Sequence, residues 1–479
     1  MKVIVLNPST KKTSNVARDL IYGCWCAGKR IANATFPPLN LVYIATVLKD
    51  DGHDVLLYDA QALGLSVEEQ LDFIKNRKPD ILIISTSSMS FGEDIKILEY
   101  VKKCCDAKTV IFGSHITFMP EKCMQSDAID FGIMREPEFA IRDLLRNIKK
   151  GKWEKSKGIV YMKKRKVIVN PPYPYIKNLD ELPFPDRSML PDVSFFNPLI
   201  TRFPWTTILT SRGCPAKCIF CTVPYFYGGK WRSRSIDNIM VELRALVADG
   251  YKEIFFRDET FTAQRKKVQE LCKKIIEEKL EFKWIANGRV GNLDKETMQL
   301  MKKAGCEMLK FGVESGVQEI LDNIRKGIQV EKTRETFKWT NEVGIKTHAH
   351  FMLGCVGETK DTIEKTIQFA KEIRPTTVTF GIFTPYPGTP LFKMVQEKIG
   401  KEKEITYDLG TVHVQTYYNE LFTDLPSEEL QKYVSIAYRK FYLRPGYVLH
   451  RLKEVKSPTH LIQLIKSGFA VLTFIGSSE

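Results

Sequence analysis

The sequence predicts an α/β protein of two modules: a doubly wound parallel sheet, then a curved parallel sheet forming a partial barrel, with a helical extension at the carboxyl end. Three observations predict it. Short apolar, mostly β-branched runs alternate with helix-length stretches over residues 1 to about 150. The same rhythm resumes after Thr206, and between the two lie Pro171, Pro172, Pro174, Pro183, Pro185 and Pro191, which forbid long helices.

In the first module the strand-like runs are residues 2–6, 54–59, 80–85, 108–113 and 128–134, with helix-length stretches such as 41–51 and 66–76 between them. Alternation of this kind predicts a parallel sheet covered on both faces. Ligands then bind beyond the carboxyl ends of the strands, where strand order reverses. Those ends carry Asn7-Pro8-Ser9, Ser85-Thr86-Ser87-Ser88, Gly113-Ser114-His115-Ile116-Thr117 and Arg135-Glu136-Pro137-Glu138, rich in small hydroxyl residues that let a flat ligand or a phosphate approach the backbone. No GxGxxG or Walker A run is present, which disfavours a dinucleotide or a nucleoside triphosphate.

Residues 158–169 read as a hairpin within a connector that spans about 151–200. In the second module six strands are expected at 206–210, 253–258, 283–287, 306–312, 346–354 and 376–383. The helical segments between them are 237–249, 266–278, 295–304, 330–343 and 360–372. Six βα units make a partial (β/α)6 barrel whose working residues sit at the carboxyl ends of its strands. Division at 1–150, 151–200, 201–425 and 426–479 follows, the last part helical.

Just after the first of these strands stands Ser-Arg-Gly-Cys-Pro-Ala-Lys-Cys-Ile-Phe-Cys, with Cys214, Cys218 and Cys221 in CxxxCxxC spacing. With 11 Cys in 479 residues, chance gives this pattern with a probability under about 0.01. Structural zinc wants four ligands, and neither a second Cys pair nor a nearby His follows. Three thiolates on so short a loop suit three corners of an iron-sulfur cube and leave one iron open. The other strand ends carry Asp258-Glu259, Asn287-Gly288-Arg289, Glu314-Ser315-Gly316 and Gly354 through Glu358.

Composition narrows the partners. Net charge is +15, but the basic residues fall in short scattered groups such as Lys163-Lys164-Arg165-Lys166, which are ordinarily solvated faces. Charge alone therefore selects neither nucleic acid nor membrane. No apolar run reaches the ~20 residues that cross a bilayer; residues 467–476 suit a helix lying on an anionic surface or docked on the protein's own core. Cysteines without an evident disulfide framework and no signal peptide lead us to expect a reducing, cytoplasmic setting, with peripheral membrane contact through the carboxyl end as an added expectation.

The cysteine run with Phe220, Gly312-Val313-Glu314-Ser315-Gly316, and Met352-Leu353-Gly354-Cys355-Val356-Gly357-Glu358-Thr359 resemble the radical S-adenosylmethionine superfamily. Pro37-Pro38-Leu39-Asn40-Leu41, the Gly113–Thr117 and Arg135–Glu138 loops, and Leu182-Pro183-Phe184-Pro185 resemble its subgroup with an N-terminal cobalamin-binding domain. The likeness covers about residues 1–450. It implies that Cys214, Cys218 and Cys221 hold a 4Fe-4S cluster whose open iron chelates S-adenosylmethionine, and that reductive cleavage yields a 5′-deoxyadenosyl radical. Phe220, Asp258, Glu259, Asn287, Arg289, Glu314, Ser315, Gly354 and Gly357 are the S-adenosylmethionine contacts it implies. Ser85, Thr86, Ser87, Gly113, Ser114, His115, Thr117 and Glu136 are the cobalamin contacts. The loop after the first strand has no His, so a cobalt bound here lacks the axial His of the familiar DxHxxG motif; His53 reads as a turn residue.

The expected activity is methylation of an unactivated carbon of a small molecule or lipid, with a flavodoxin or ferredoxin as electron donor. Alternatives are a cobalamin-using cyclase or oxidoreductase without methylation, a tRNA methylthiotransferase, and a corrinoid or iron-sulfur sensor or carrier without turnover.

Overall fold

Side-chain alternation along each strand builds a first sheet that is buried on both faces. In the computed structural model, which describes residues 1–13, 34–400 and 418–453 with Val16, Arg18, Lys403, Ile405, Ile465, Gly468, Phe469 and Thr473, this sheet has seven strands. They are β1 (Lys2–Asn7), β2 (Asp54–Asp59), β3 (Ile81–Thr86), β4 (Lys108–Gly113), β5 (Phe131–Ile133), β6 (Ile159–Lys163) and β7 (Lys166–Val169). Their order is β2-β1-β3-β4-β5-β6-β7, the first five parallel and the last two antiparallel. On one face Val3 and Val5 pack with Val42 and Leu144; on the other Ile4 and Leu6 pack with Leu71, Ile74 and Leu98. The chain leaves β1 for β2 on one side and returns to β3 on the other. Strand order therefore reverses between β1 and β3, and Asn7, Ser85 and Thr86 stand at that switch point.

The hairpin expected in the connector belongs to this sheet. Ile159 and Val160 pair with Ile133 and Gly132, covering the edge that the short β5 would otherwise leave with unpaired N–H and C=O groups. The sheet thus runs to Val169, beyond the division expected at 150. The Pro-rich stretch that follows forms only the short 3-10 turns Leu179–Glu181 and Arg187–Met189.

The second module contains β8 (Trp205–Ile208), β9 (Ser211–Arg212), β10 (Arg232–Ser233), β11 (Glu253–Phe256), β12 (Lys283–Gly288), β13 (Cys306–Glu314), β14 (Lys346–Leu353) and β15 (Thr377–Ile382). Six of them form an all-parallel sheet in the sequential order β8-β11-β12-β13-β14-β15, while β9 and β10 make a small antiparallel ribbon. β13 outruns its expected end at 312, and its register shifts between Gly312 and Glu314.

The barrel is open at β15, and the tail covers that edge. Helix Ser427–Tyr442 lies against β15, where the Tyr442 hydroxyl accepts from Val378 N–H at 2.9 Å and donates to Val378 C=O at 2.7 Å. The helical tail is therefore docked on the protein's own core at this point. Among the described residues no helix is long and apolar enough to cross a membrane; most of 467–476 lies outside them.

Candidate active site between the two sheets

The cysteine loop begins where β8 gives way to Thr210-Ser211-Arg212, and buried carboxylates fix its path. Asp258, fully buried, accepts from Thr210 N–H at 2.7 Å, from the Thr210 hydroxyl at 2.5 Å and from the Ser211 hydroxyl at 2.6 Å. Both of its oxygens are thus spent on clasping the loop. Glu259 accepts from Gly213 N–H at 3.0 Å, and burial pushes its carboxyl up to about 7. Gly213 has φ +91°, and a Cβ there would sit 2.1 Å from the Lys230 carbonyl oxygen, so the loop turns only with glycine. Cys218 is buried and Cys214 and Cys221 are half-buried, none in a disulfide; the Thr260 hydroxyl donates to Cys214 Sγ at 3.3 Å. Phe220 packs on Phe383, with ring centroids 5.7 Å apart.

The remaining barrel strand ends divide into a framework and an open set. Asn287 Nδ2 donates to the Asp258 carbonyl at 2.8 Å, and the Ser315 hydroxyl pairs with that of Thr366 at 3.0 Å. Gly354 is backed by Leu430 and Asn419, where a Cβ would lie 2.5 and 2.6 Å from their side chains, and Gly357 N–H donates to the Phe422 carbonyl at 2.9 Å. These four hold the rim together. Arg289 donates through its guanidinium to the Lys326 carbonyl. Glu314, at φ +66°, accepts from Lys326 Nζ at 2.6 Å through one oxygen and leaves Oε2 buried without a partner. Burial alone would lower the Lys326 ammonium, but the Glu314 carboxylate, with a Cys218 thiolate adding to it, outweighs that and holds it up.

Glu358 buttresses this rim by accepting from the N–H groups of Gly354 and Cys355 at 2.6 and 2.9 Å, and burial pushes its carboxyl up to about 8. A carboxyl raised on folding binds its proton more tightly in the folded state, so its contribution weakens stability as pH climbs from 5 towards 8. Denaturant melts across that range should show this slope in the wild type and a flatter one in Glu358→Gln. Parallel slopes would remove Glu358 from the account.

Across from the cysteine loop, the first sheet contributes the other wall of a cleft. Ser85, Thr86, Gly113, Ser114 and Glu136 line it, together with Tyr43, Arg212, Tyr227, Arg257 and Glu259. Ser85 donates to the Arg18 carbonyl at 2.7 Å, Thr86 to Asp94 at 2.9 Å, and Thr117 to the Gly113 carbonyl at 2.7 Å. Ser87 pairs with the Ser90 hydroxyl at 3.2 Å. His115 is buried against Phe91, its Nδ1 3.1 Å from the Ser88 hydroxyl; burial brings its imidazole down to about 4, so it is neutral at pH 7. Gly113, at φ +124°, lies so close to β3 that a Cβ would fall 2.1 Å from the Thr86 carbonyl oxygen. Gly113→Ala should cost roughly 1–3 kcal/mol of stability and displace the cleft wall; an unshifted melting midpoint would contradict this.

The two modules meet through a buried ion cluster at the cleft floor. Arg212, two residues before Cys214, contacts Glu138 at 2.6 Å and Glu136 at 3.2 Å, and Arg232 contacts Glu136 at 2.9 Å. Burial pushes Glu136 up, but the two guanidiniums outweigh it and hold its carboxyl below the usual range. Glu136 therefore serves as a bridge between the modules as well as lining the cleft.

The residues fit the groups expected of them. Three free thiols on one loop suit a cluster that assigns one thiolate to each of three irons. Among the described residues no three His, Cys, Asp or Glu side chains converge as they would on a single ion. The unpartnered Glu314 oxygen suits an ammonium or hydroxyl donor, and the small residues Ser85, Thr86, Gly113 and Ser114 let a flat ligand approach the backbone on that wall of the cleft.

A thiol loop on a curved parallel sheet, facing the switch point of a second parallel sheet, defines a two-module class of cluster protein with a ligand cleft between its modules. The sequence matches the Radical SAM superfamily model over residues 208–370 and the B12 binding domain model over residues 31–145. An uncharacterized methyltransferase of Pyrococcus horikoshii is 31% identical over 458 residues, covering 95% of each chain. An anaerobic magnesium-protoporphyrin IX monomethyl ester cyclase of Rubrivivax gelatinosus is 27% identical, covering 92% of this chain and 81% of the cyclase. The solved structure of the radical S-adenosylmethionine methyltransferase TsrM from Kitasatospora setae shares the fold with a TM-score of 0.68 at 18% identity, covering 86% of this chain and 79% of that one. The chain belongs to the radical SAM superfamily and carries a B12-binding domain ahead of its radical SAM domain.

Several site residues were not singled out from the sequence. Arg212 and Arg232 act across the module boundary, which no local motif reveals.

Proposed function

We propose that this chain is a cobalamin-dependent radical SAM enzyme that methylates an unactivated carbon of a small molecule or lipid. The observation that carries the reading is the shared cleft: residues of the first sheet's switch point and residues beside the cysteine loop line one cavity, joined by Arg212. Methyl transfer to a carbon radical needs the methyl donor and the radical source to reach one substrate atom, and a cleft between the modules supports that arrangement.

When bound, the cluster supplies the electron that cleaves S-adenosylmethionine, and cobalamin supplies a transferable methyl group. The chain's own residues bind and orient. Cys214, Cys218 and Cys221 hold the cluster, and Thr260 donates to the Cys214 sulfur. Glu314, held by Lys326, receives the amino group or a hydroxyl of S-adenosylmethionine; Arg289 and Glu259 stand at the neighbouring strand ends. Asp258, Asn287, Ser315, Gly354 and Gly357 keep those ends in place, and Phe220 packs the loop. Ser85, Thr86, Gly113 and Ser114 face the corrinoid, with Ser87, His115 and Thr117 shaping their loops.

The Pyrococcus horikoshii relative supports the methyltransferase reading, and the Rubrivivax gelatinosus cyclase supports a second one, radical oxidation or ring closure without methyl transfer. Products separate them. Reduced, reconstituted protein with S-adenosylmethionine and substrate should release both 5′-deoxyadenosine and S-adenosylhomocysteine; 5′-deoxyadenosine alone would favour the second reading, and absence of both would sink the proposal.

A further inference from the structure

The turn ahead of the cysteine loop carries two side chains whose hydrogen-bonding capacity the protein itself leaves open. Tyr227 caps the short helix Val223–Phe226 and stands against Gly213: a Cβ on that glycine would lie 3.3 Å from Tyr227 Cβ. Glu259 reaches the same turn from the loop after β11, where its Oε2 accepts from Gly213 N–H at 3.0 Å. Both residues line the cleft between the modules. Tyr227 is only 7% exposed, yet its hydroxyl has no hydrogen-bond partner among the described residues and is not sealed in the core.

The ring that carries this hydroxyl is fixed in place. Tyr227 N–H donates to the Val223 carbonyl at 3.1 Å, Phe226 meets the ring edge to face at 5.0 Å, and the Arg232 guanidinium lies 5.6 Å from its centre. Burial raises the phenol well above its ordinary value, Glu259 raises it further and Arg212 lowers it, so the hydroxyl keeps its proton at neutral pH. The pair is thus a hydrogen donor beside a carboxylate acceptor, both on one wall of one cleft. Its surroundings select what can sit there. An anion would face Glu259 together with Glu136 and Glu138, whose charges Arg212 and Arg232 already balance. An alkyl group would strip water from the hydroxyl and the carboxylate and leave both unpaired. A primary amide matches: its C=O accepts from the phenol and its NH2 donates to the carboxylate.

We propose that Tyr227 and Glu259 together bind a carboxamide side chain on the rim of the corrinoid, so that the radical SAM module holds the ring as well as the first sheet does. The inference rests on the proposed function in taking cobalamin as a ligand of this cleft. A corrin ring carries acetamide and propionamide arms around its edge, and Ser85, Thr86, Gly113 and Ser114 wall the same cleft from the first sheet. Because both residues are seated on Gly213, next to Cys214, the contact also positions the ring relative to the cysteine loop. Glu259 then serves the corrinoid rather than S-adenosylmethionine, the role expected for it from the sequence.

Absorbance titration of the anaerobically reconstituted full chain with hydroxocobalamin tests this, with S-adenosylmethionine binding measured alongside by equilibrium dialysis. Tyr227→Phe removes a hydroxyl that has no partner in the protein, so the melting midpoint should stay in place while the dissociation constant for cobalamin rises about three- to tenfold. Cobinamide, which keeps the ring carboxamides and lacks the nucleotide tail, should lose affinity by the same factor. Affinity for S-adenosylmethionine should be unchanged. Glu259→Gln still offers Gly213 N–H an acceptor but without the charge; it gives the second arm, with weakening of cobalamin in the same range. Equal cobalamin binding by wild type and both variants overturns the proposal, and so does a loss confined to S-adenosylmethionine or a loss for cobalamin that cobinamide does not share. Binding requires neither reduction nor methyl transfer, so these failures leave the proposed reaction standing. A wild type that takes up no corrinoid overturns the proposed function itself.

Discussion

Cys218→Ala is expected to give a folded protein that holds no intact cluster and forms 5′-deoxyadenosine only at background. Cys218 is 4% exposed, and its replacement removes a single buried sulfur, a loss of roughly 1 kcal/mol that a chain of this size tolerates. The loop itself is tied elsewhere: Ile219 N–H donates to the Ile324 carbonyl at 3.1 Å, Leu391 N–H to the Ile219 carbonyl at 3.0 Å, and Asp258 clasps its start. Folding and cluster binding are thus separable at this position. Iron and sulfide content, the absorption spectrum and product analysis under reductant check the outcome together. A variant that keeps a full cluster and cleaves S-adenosylmethionine at the wild-type rate would remove Cys218 from the ligand set.

Arg212→Met should be the most destabilising single change at the module boundary. It leaves Glu138 without its buried guanidinium partner and Glu136 with Arg232 alone, and breaking a buried pair in this way costs about 3–5 kcal/mol. The loss should also loosen the cleft, so cobalamin retention through gel filtration should fall with it. The pH dependence follows from Glu136. Its carboxyl is held below the ordinary 4.5 in the folded protein, so its favourable contribution is full above that value and is lost as pH falls through the lower, folded value. The gap between wild type and Arg212→Met in denaturant melts should therefore be widest at neutral pH and narrow below about pH 4.5. A gap that stays constant, or widens in acid, would contradict the assignment of that stability to the ion cluster.

The fold was largely legible because its signals are local. Residues 3–6 and 81–84 are continuous apolar runs, as expected for strands buried on both faces, and the structure places β1 and β3 there. The cysteine loop stands out for a similar reason: three cysteines within eight residues make a pattern that needs no tertiary information. The hairpin β6–β7 was seen as a hairpin but not as part of the sheet, since its partner β5 is three residues long and carries little pattern of its own. Strand-end residues could be placed at the correct end of the barrel, but not sorted by duty. Asp258 and Glu259 are adjacent in sequence; one is saturated by Thr210 and Ser211 while the other faces the cleft, a difference set by side-chain direction. Glu136 was expected as a ligand contact, and its ion pairs depend on Arg212 and Arg232, 76 and 96 residues away.

The central claim is that one cleft serves both a reducible cluster and a corrinoid. Anaerobic reconstitution of the full chain with iron, sulfide and cobalamin, followed by removal of unbound cofactor, absorption spectroscopy and product analysis with reductant and S-adenosylmethionine, tests it most directly. The account predicts corrinoid and cluster bands together in the same protein, with 5′-deoxyadenosine among the products and S-adenosylhomocysteine beside it. A protein that takes up the cluster but retains no corrinoid, or that retains both and leaves S-adenosylmethionine intact, would contradict it.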